Sequence, residues 1–312
     1  MELRQLQYFV AVVEEGGFTR AAARLHLAQP GISAQVRQLE RELGQPLLDR
    51  SGRSVTPTEV GAAVLPYARA ALAAVAGVAQ TAAEFTGLLR GQVTLGLVAG
   101  AAPAREEQVA ALLADFHDAH PQVGIALTED SSEHMLAALR SGELDVALLG
   151  TPDAEPPAGL AFQIVADEPL VAAVAPDSPL AAAAEGGRLP LAALRGRPLI
   201  SLPRGTGTRA ALERACAAAG FRPLIAFEAA APQLLARLAA RGLGVAVVPA
   251  GAAAEAGGLR TLEFGGVRPR ARIALAWRAE GPAGPAARAL LARLRESLGT
   301  APRPGGRPAA ET

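Results

Sequence analysis

The sequence has no lysine, one cysteine and few aromatic residues, and each scarcity restricts what the protein can be. A single cysteine, Cys216, cannot form a disulfide within the 312-residue chain. Because 50% of the residues are hydrophobic and only 4% are aromatic, small aliphatic side chains must build most of the core. The formal net charge is zero, so the local distribution of arginine has to reveal any nucleic-acid surface.

Long hydrophobic runs are also missing from the chain. No apolar run approaches the roughly 20 residues that span a bilayer, because arginine, glutamate or glycine interrupts each one. Glu2 and Arg4 stand where a secretory signal would have a basic and then an apolar segment. The sequence therefore predicts a cytoplasmic protein with no membrane role, and its length predicts two or three domains.

The segment that precedes residue 45 predicts three short helices. The first has apolar residues at spacings of three and four and stops at Gly16. The second begins at Arg20 and takes Thr19 as its N-cap. A tight link then leads to the third, so the three helices indicate a helix-turn-helix. The apolar face of the third helix is formed by Ile32, Val36, Leu39 and Leu43.

The opposite side of the third helix carries side chains that can bind phosphates or read base edges in a major groove. Between residues 16 and 57 there are six arginines against three acidic residues, and Ser51 and Gly52 predict the turn of a hairpin wing. Arg41 is interpreted as an ion-pair partner of Glu40 and Glu42 within the helix. An ordinary helical bundle with a solvated basic face is the alternative. The predicted DNA-binding side chains are Gln29, Ser33, Gln35, Arg37, Arg50 and Arg53.

The whole segment closely resembles the DNA-binding signature of the LysR-type transcription regulators. It reads LRQLQYFVAVVEEGGFTRAAARLHLAQPGISAQVRQLERELGQPLLDRSGRSVTPTEVG, and the resemblance covers about sixty continuous positions. It implies a winged helix-turn-helix over residues 1–58 and adds Thr19, Arg20 and Pro30 to the expected DNA contacts. It also implies a homodimer that usually pairs into a tetramer, near-palindromic double-stranded DNA as operator, and RNA polymerase as an open further partner.

Residues 59–90 predict a linker helix that dimerises. Its apolar residues alternate by four and three, as in a coiled-coil seam, and Gly77 is taken as its strongest internal break. A single buried helix is the alternative, since most neighbouring residues are also alanine. The predicted seam consists of Val64, Ala68, Ala71, Val75, Val78, Ala82, Phe85 and Leu89.

Residues 91–300 alternate short apolar strands with amphipathic helices, which predicts parallel sheet covered by helices. Two similar series and a late return segment indicate two lobes, and the resemblance implies the α/β periplasmic-binding-protein-like form of an effector domain. We place the chain crossings near Asp167 and Gly265. The expected lobes are 91–166 with 266–300, and 167–265. Residues 301–312 predict a disordered tail, because nothing in them can be buried.

The resemblance also implies an effector cleft between the lobes. Hydroxyl and backbone N–H groups there suit a small anion. However, Glu129 and Asp130 would repel a carboxylate, so a neutral or partly apolar effector stays open. The expected effector-binding residues are Ala99, Gly100, Ala101, Asp130, Ser131, Ser132, Ser201, Pro203, Gly205 and Thr206.

Rival chemistry has weak support in the sequence, so we expect no enzyme, cofactor or metal. The stretch GTGTRA that begins at Gly205 matches the opening of a dinucleotide fingerprint, but a glycine-rich cleft loop explains it equally well. His117 and His120 are interpreted as a solvated helix end, and Cys216 as a small buried hydrophobe. A solute-binding protein or enzyme fused to a helical head is the alternative class.

Overall fold

The computed structural model describes residues 1–52, 54–84, 89–98, 103–184, 186–266 and 268–299. Several predicted features lie outside these ranges and are not described further. They are Arg53, Ala99, Gly100, Ala101, Phe85 and the tail 301–312.

The N-terminal head is a winged helix-turn-helix. Its buried centre contains Phe9, Val12, Ile32, Val36 and Leu39, which confirms the apolar face of the third helix except at its end. Its elements are α1 (Leu3–Glu15), α2 (Phe18–Leu25), α3 (Gln29–Leu43) and an antiparallel hairpin of β1 (Leu48–Asp49) and β2 (Thr56–Pro57).

Two local predictions about the head are wrong. Helix α2 begins at Phe18 with Gly17 as its N-cap, so Thr19 lies inside the helix and caps nothing. Leu43 is 40% exposed because α3 ends there, and Gly44 follows in the left-handed conformation. The buried stripe of α3 therefore ends at Leu39, about one helical turn earlier than its periodicity indicates.

The linker helix α4 (Glu59–Glu84) starts beside the wing. Thr58 accepts a hydrogen bond from the Gly61 N–H at 3.0 Å, which caps the first turn. The helix continues through Pro66, although proline disfavours a helix interior more strongly than Gly77, which was predicted as the strongest break. Leu89 and Arg90 are not helical, so the predicted extension of the helix to residue 90 is wrong. Within the described residues, no helix is long and apolar enough to cross a membrane.

The predicted seam of α4 is divided between two environments. Val64, Ala68 and Ala71 pack against the core of the head. Val75 and Val78 are 47% and 70% exposed. The first half of the seam is therefore satisfied within the chain, and the second half is left apolar and uncovered.

The C-terminal part forms two lobes around one continuous ten-stranded sheet, as the predicted fold class requires. Lobe I has the strand order β4-β3-β5-β12-β6, and lobe II continues it as β6-β10-β8-β9, with β11 and β7 beside β6. The elements up to the first crossing are β3 (Gly91–Leu97), α5 (Pro103–Ala119), β4 (Val123–Glu129), α6 (Ser132–Ser141), β5 (Val146–Thr151) and β6 (Leu160–Val174).

Lobe II lies between the two crossings, and the chain then returns to lobe I. The elements of lobe II are α7 (Pro179–Ala183), β7 (Arg188–Pro190), a 3-10 helix (Leu191–Leu194), β8 (Pro198–Ser201), α8 (Gly207–Ala218), β9 (Leu224–Glu228), α9 (Pro232–Ala240), β10 (Val245–Pro249), α10 (Ala250–Ala256) and β11 (Arg260–Gly265). The return elements are β12 (Arg270–Arg278) and α11 (Pro285–Leu298).

Strand β6 belongs to both lobes. Its residues from Leu160 to Pro169 pair with β12, and those from Leu170 onward pair with β10 and β11. Because the pairing passes from one partner to the next without a gap, the two lobes share one strand as a rigid connection. Helices α6 and α8 begin at the junction between the two lobes.

Candidate nucleic-acid interface and ligand cleft

Helix α3 presents a polar face to solvent. Gln29, Pro30, Gln35 and Arg37 are exposed along it, as predicted from the sequence. Ser33 is not displayed with them, because it is only 8% exposed and its Oγ accepts a hydrogen bond from Arg37 Nη1 at 2.8 Å. The expectation that Ser33 faces outward is therefore wrong. Ser33 instead orients the Arg37 guanidinium on the exposed face.

Helix α2 supplies two further exposed side chains at the edge of this face, Thr19 and Arg20. Arg20 Nε donates to the Glu15 carbonyl oxygen at 2.5 Å, which closes the corner between α1 and α2. This bond to a neutral carbonyl orients Arg20 and leaves its positive charge at the surface.

The wing is fastened to α3 by one carboxylate, that of Glu40. Its Oε1 accepts from the backbone N–H groups of Leu47 and Leu48 at 3.0 and 3.2 Å. Its Oε2 pairs with Arg50 Nη2 at 2.6 Å, and the same guanidinium lies over the Phe18 ring at 5.3 Å from its centroid. Sequence reasoning missed Glu40, since nothing in the helical period reveals a contact with a hairpin that follows later.

Arg41 differs from its predicted role as well. Its Nη2 donates to Gln38 Oε1 at 2.5 Å, and no ion pair with Glu40 or Glu42 is present among the described residues. Arg37, Arg41 and Arg50 line an open groove of about 690 Å³ between α3 and the wing. Three guanidiniums against the Glu40 carboxylate make this groove a positive surface that can accept phosphate oxygens.

The ligand cleft lies where the first turns of α6 and α8 meet across the lobes. Ser131 caps α6 by accepting from the His134 N–H at 3.3 Å, and Thr206 caps α8 by accepting from the Arg209 N–H at 3.3 Å. The Glu133 N–H donates to the Gly205 carbonyl oxygen at 3.3 Å, which joins lobe I to lobe II. The structure thus brings Ser131 of lobe I close to Gly205 of lobe II, as predicted for these two residues.

The close contact between the two lobes explains why the GTGTRA stretch contains glycine at Gly207. A Cβ on Gly207 would overlap the backbone of Gly150 and Thr151, and it would lie 2.7 Å from the Gly150 carbonyl oxygen. Ser132 Oγ accepts from the Gly150 N–H at 3.0 Å and fixes the same strand end. The loop therefore packs backbone against backbone, and it leaves no room for the pyrophosphate of a dinucleotide.

The closed cleft encloses about 60 Å³, which is room for roughly two water molecules. Two charged side chains that sequence reasoning missed line it, Glu168 and Arg272, together with Thr208 and Gln233. Glu168 Oε2 accepts from the Gly251 N–H at 2.8 Å, and its Oε1 has no partner among the described residues. The crossing strands β6 and β12 carry these charges, so only the tertiary fold brings them to the cleft.

Among the described residues that were predicted for the cleft, only Thr206 lines this cavity, and Asp130, Ser201 and Pro203 have quite different surroundings. Asp130 faces a separate depression beside Pro66 of α4, and its hydrogen bond with His134 Nδ1, at 2.9 Å, lowers the pKa of the Asp130 carboxyl. Ser201 is fully buried, and its Oγ has no hydrogen-bond partner among the described residues. Pro203 supplies the carbonyl oxygen to which Thr206 Oγ1 donates at 2.8 Å. Placement of Asp130 in the cleft is therefore a wrong prediction.

The residues considered for other chemistry have packing roles. His120 contacts the Phe116 ring at a centroid distance of 4.8 Å. Across the described ranges, no three histidine, cysteine or acidic residues form a group that could hold a metal ion. Cys216 is buried in α8, and this burial raises the pKa of its thiol to about 11.

Two family models match the chain, and together they cover nearly all of the described residues. Residues 3–62 match the bacterial regulatory helix-turn-helix protein model of the lysR family. Residues 86–299 match the LysR substrate binding domain model. The residues between the two matches, 63–85, include most of α4.

Individual relatives agree with the family models. A probable hydrogen peroxide-inducible genes activator of Mycobacterium avium is 36% identical over 277 residues, which is 88% of this chain and 86% of the relative. A full-length OxyR variant from Pseudomonas aeruginosa is 27% identical with a TM-score of 0.70, covering 95% of each chain. Full-length CbnR in complex with its target DNA is 28% identical with a TM-score of 0.57, covering 96% of this chain and 99% of CbnR. The chain belongs to the LysR family of transcription regulators, with a DNA-binding head ahead of an effector-binding domain.

Proposed function

We propose that this regulator binds a near-palindromic double-stranded operator through α3 and its wing, and that a small molecule in the interlobe cleft controls this binding. The observation that carries the proposal is the positive groove between α3 and the wing, within the segment that the helix-turn-helix model matches. We place the protein in the cytoplasm, where its DNA target lies, and assign it no catalytic role.

The exposed residues of the head divide by chemistry. Gln29 and Gln35 carry amides that can pair with base edges, and Arg37 is a donor to guanine or phosphate that Ser33 holds in place. Thr19 and Arg20 are assigned to the phosphate backbone, and Pro30 is assigned to apolar contact beside them. Arg50 and Arg53 are assigned to the phosphates at the wing, and Arg50 reaches them while its other side remains on Glu40.

A homodimer gives the operator its symmetry. The uncovered apolar side chains of α4 support it, because Tyr67, Val75 and Val78 are 79%, 47% and 70% exposed and face water in a single chain. Burial of these side chains against a second copy of α4 would place two heads on two half-sites. Pairing of dimers into a tetramer, and contact with RNA polymerase, extend the same proposal.

The ion pairs of Arg69 in α4 support a structural connection between the effector cleft and the DNA-binding head. Its guanidinium pairs with Glu14 of α1 at 3.3 Å and also with Glu143, which follows α6 in lobe I. Ser132 of α6 accepts a hydrogen bond from the N–H of Gly150, which lines the cleft. Movement of α6 when an effector opens the cleft would therefore reach the head through one side chain.

DNA binding is tested with the DNA upstream of the protein's own gene, by fluorescence anisotropy over a series of salt concentrations. We expect Arg37→Ala to weaken binding by about 1–3 kcal/mol, or roughly tenfold to a hundredfold, because a bidentate donor to a base or phosphate is lost. The affinity of the unmodified protein should fall linearly with salt on logarithmic axes. Arg260→Ala, at an exposed site on β11, is the matched control and should change nothing.

Two results would refute the proposal. One is a failure of the unmodified protein to retain this DNA at low ionic strength. The other is that Arg37→Ala binds the upstream DNA as tightly as Arg260→Ala does, and prefers it over unrelated DNA to the same extent. That result would leave the α3 face without a role in recognition.

The name of one relative raises the question of peroxide, and we propose that this chain does not sense it through a thiol. The thiolate is the form that attacks peroxide, and burial raises the pKa of the Cys216 thiol to about 11, which keeps this thiol protonated near neutral pH. Operator affinity measured before and after treatment with a tenfold excess of hydrogen peroxide is expected to stay the same. A loss of affinity that Cys216→Ala prevents would contradict this.

A further inference from the structure

A pocket lined by four arginines lies next to the ligand cleft but opens elsewhere. It encloses about 270 Å³ and is lined by Arg214 of α8 and by Arg268, Arg270 and Arg272 of the segment that returns to lobe I. Arg272 lines both the pocket and the cleft, so the two cavities share one wall. None of the residues assigned to DNA or effector binding lines this pocket.

The three arginines of the return segment share a side because the chain is extended there. Alternate residues of an extended strand point the same way, so the sequence RPRAR from Arg268 to Arg272 directs its guanidiniums together. Like charges at this spacing repel each other. The fold then adds Arg214 from a helix more than fifty residues earlier in the chain, which raises the repulsion further.

Two carboxylates form ion pairs with three of these four guanidinium groups. Arg214 pairs with Asp153 through both terminal nitrogens, at 2.5 and 3.3 Å. Arg270 and Arg272 share Asp167, through their Nε atoms at 2.6 and 3.4 Å. Arg214 and then Arg272 hold the pKa of the Asp153 carboxyl below its ordinary value, so this carboxylate is ionised at neutral pH.

Arg268 is the cation without a carboxylate. It is exposed at the rim of the pocket, and within the described part of the chain it makes no ion pair. Four guanidiniums against two carboxylates leave the pocket with an excess of about two positive charges, which only solvent or a ligand can balance.

We propose that this pocket binds a small phosphorylated metabolite, by its phosphate monoester group. A phosphate monoester carries close to two negative charges at neutral pH, which matches the unbalanced charge of the pocket. Guanidinium forks match phosphate oxygens geometrically and bind them with two parallel hydrogen bonds. A cavity of about 270 Å³ accommodates a small organic phosphate and excludes a nucleic-acid duplex.

The position of the pocket gives such a ligand an effect on the whole domain. Pro152 and Asp153 follow β5 of lobe I, whereas Arg214 belongs to lobe II and Arg270 to the crossing between them. A phosphate held by Arg214 and Arg270 would connect lobe II to the strand that returns to lobe I. It would therefore stabilise the folded domain by mass action.

The test measures the thermal midpoint and the calorimetric Kd of the full chain with glycerol 3-phosphate as the probe. We expect a saturable rise in the midpoint that sodium chloride at the same ionic strength does not reproduce. Arg268→Gln removes the unpaired cation without breaking an ion pair, and it should weaken the probe tenfold to a hundredfold. Arg237→Gln, on α9 at the opposite face of the sheet, is the matched control and should leave the Kd unchanged.

The possible outcomes separate the pocket from the regulator's other functions. Operator binding should be equal in the Arg268 and Arg237 variants, so a failure of the DNA experiment leaves this result untouched. The proposal is overturned if succinate raises the midpoint as much as glycerol 3-phosphate, if the shift follows ionic strength alone, or if Arg268→Gln binds the probe as tightly as the unmodified chain.

Discussion

Gly61→Ala is expected to destabilise the DNA-binding head by about 3 kcal/mol, although alanine favours a helix. The added Cβ would overlap the Leu47 carbonyl oxygen and lie 2.9 Å from its carbon, and backbone atoms cannot rotate away as a side chain can. Overpacking of this kind costs about 1–3 kcal/mol or more, whereas the gain in helix propensity is at most about 1 kcal/mol. The wing would have to move away from α4, so operator binding should fall as well.

Gly31→Ala provides the matched control, since it makes the same change in the first turn of α3 with nothing within 4 Å of the new Cβ. Calorimetry of the full chain should show a lower transition temperature for the Gly61 variant and an equal or higher one for the Gly31 variant. Equal destabilisation of both would mean that the wing does not rest on α4 as described.

Gly207→Ala is expected to force the two lobes apart and to lower the stability of the effector-binding domain by about 2 kcal/mol. Its Cβ would occupy the place of the Gly150 backbone in lobe I. Relief of this overlap requires α8 to retreat, which breaks the hydrogen bond from the Glu133 N–H to the Gly205 carbonyl oxygen. For a domain of this size, such a loss lowers the melting temperature by about 4–8 °C.

Hydrogen exchange measures the separation directly, because the Glu133 amide should lose protection in the variant. Gly265→Ala, on β11, is the control, since its Cβ would meet only the Leu189 carbonyl oxygen at 4.0 Å. Unchanged melting and unchanged protection at Glu133 would show that the lobes do not meet at Gly207.

The spacing of apolar residues in the sequence predicts those helices of the fold that bury one face. In α3 the spacing of Ile32, Val36 and Leu39 was sufficient to identify the face that packs inward. The same period also explains the error at Ser33, which precedes Val36 by three residues and so lies beside the buried stripe. The alternation of strands and helices likewise predicted two lobes, because β3 and β4 in lobe I and β8, β9 and β10 in lobe II are each followed by a helix.

What escaped prediction depends on side chains that are distant in sequence. Glu40 fastens the wing only after the hairpin has folded back, and Arg214 meets Arg270 only where α8 packs beside the return strand. No local pattern encodes these two contacts, since each requires two elements to dock first. Asp130 follows β4 as expected, yet it lines the depression beside Pro66 of α4 and not the cleft.

The place of β12 in the sheet has a consequence for how the chain is made. This strand lies between β5 and β6 at the centre of lobe I, yet it is the last strand to leave the ribosome. Every strand of lobe II precedes it. During synthesis the second lobe can therefore assemble first, while the earlier half of the first lobe waits with an open slot in its sheet. Truncation of the chain ahead of Arg270 would leave that slot permanently empty.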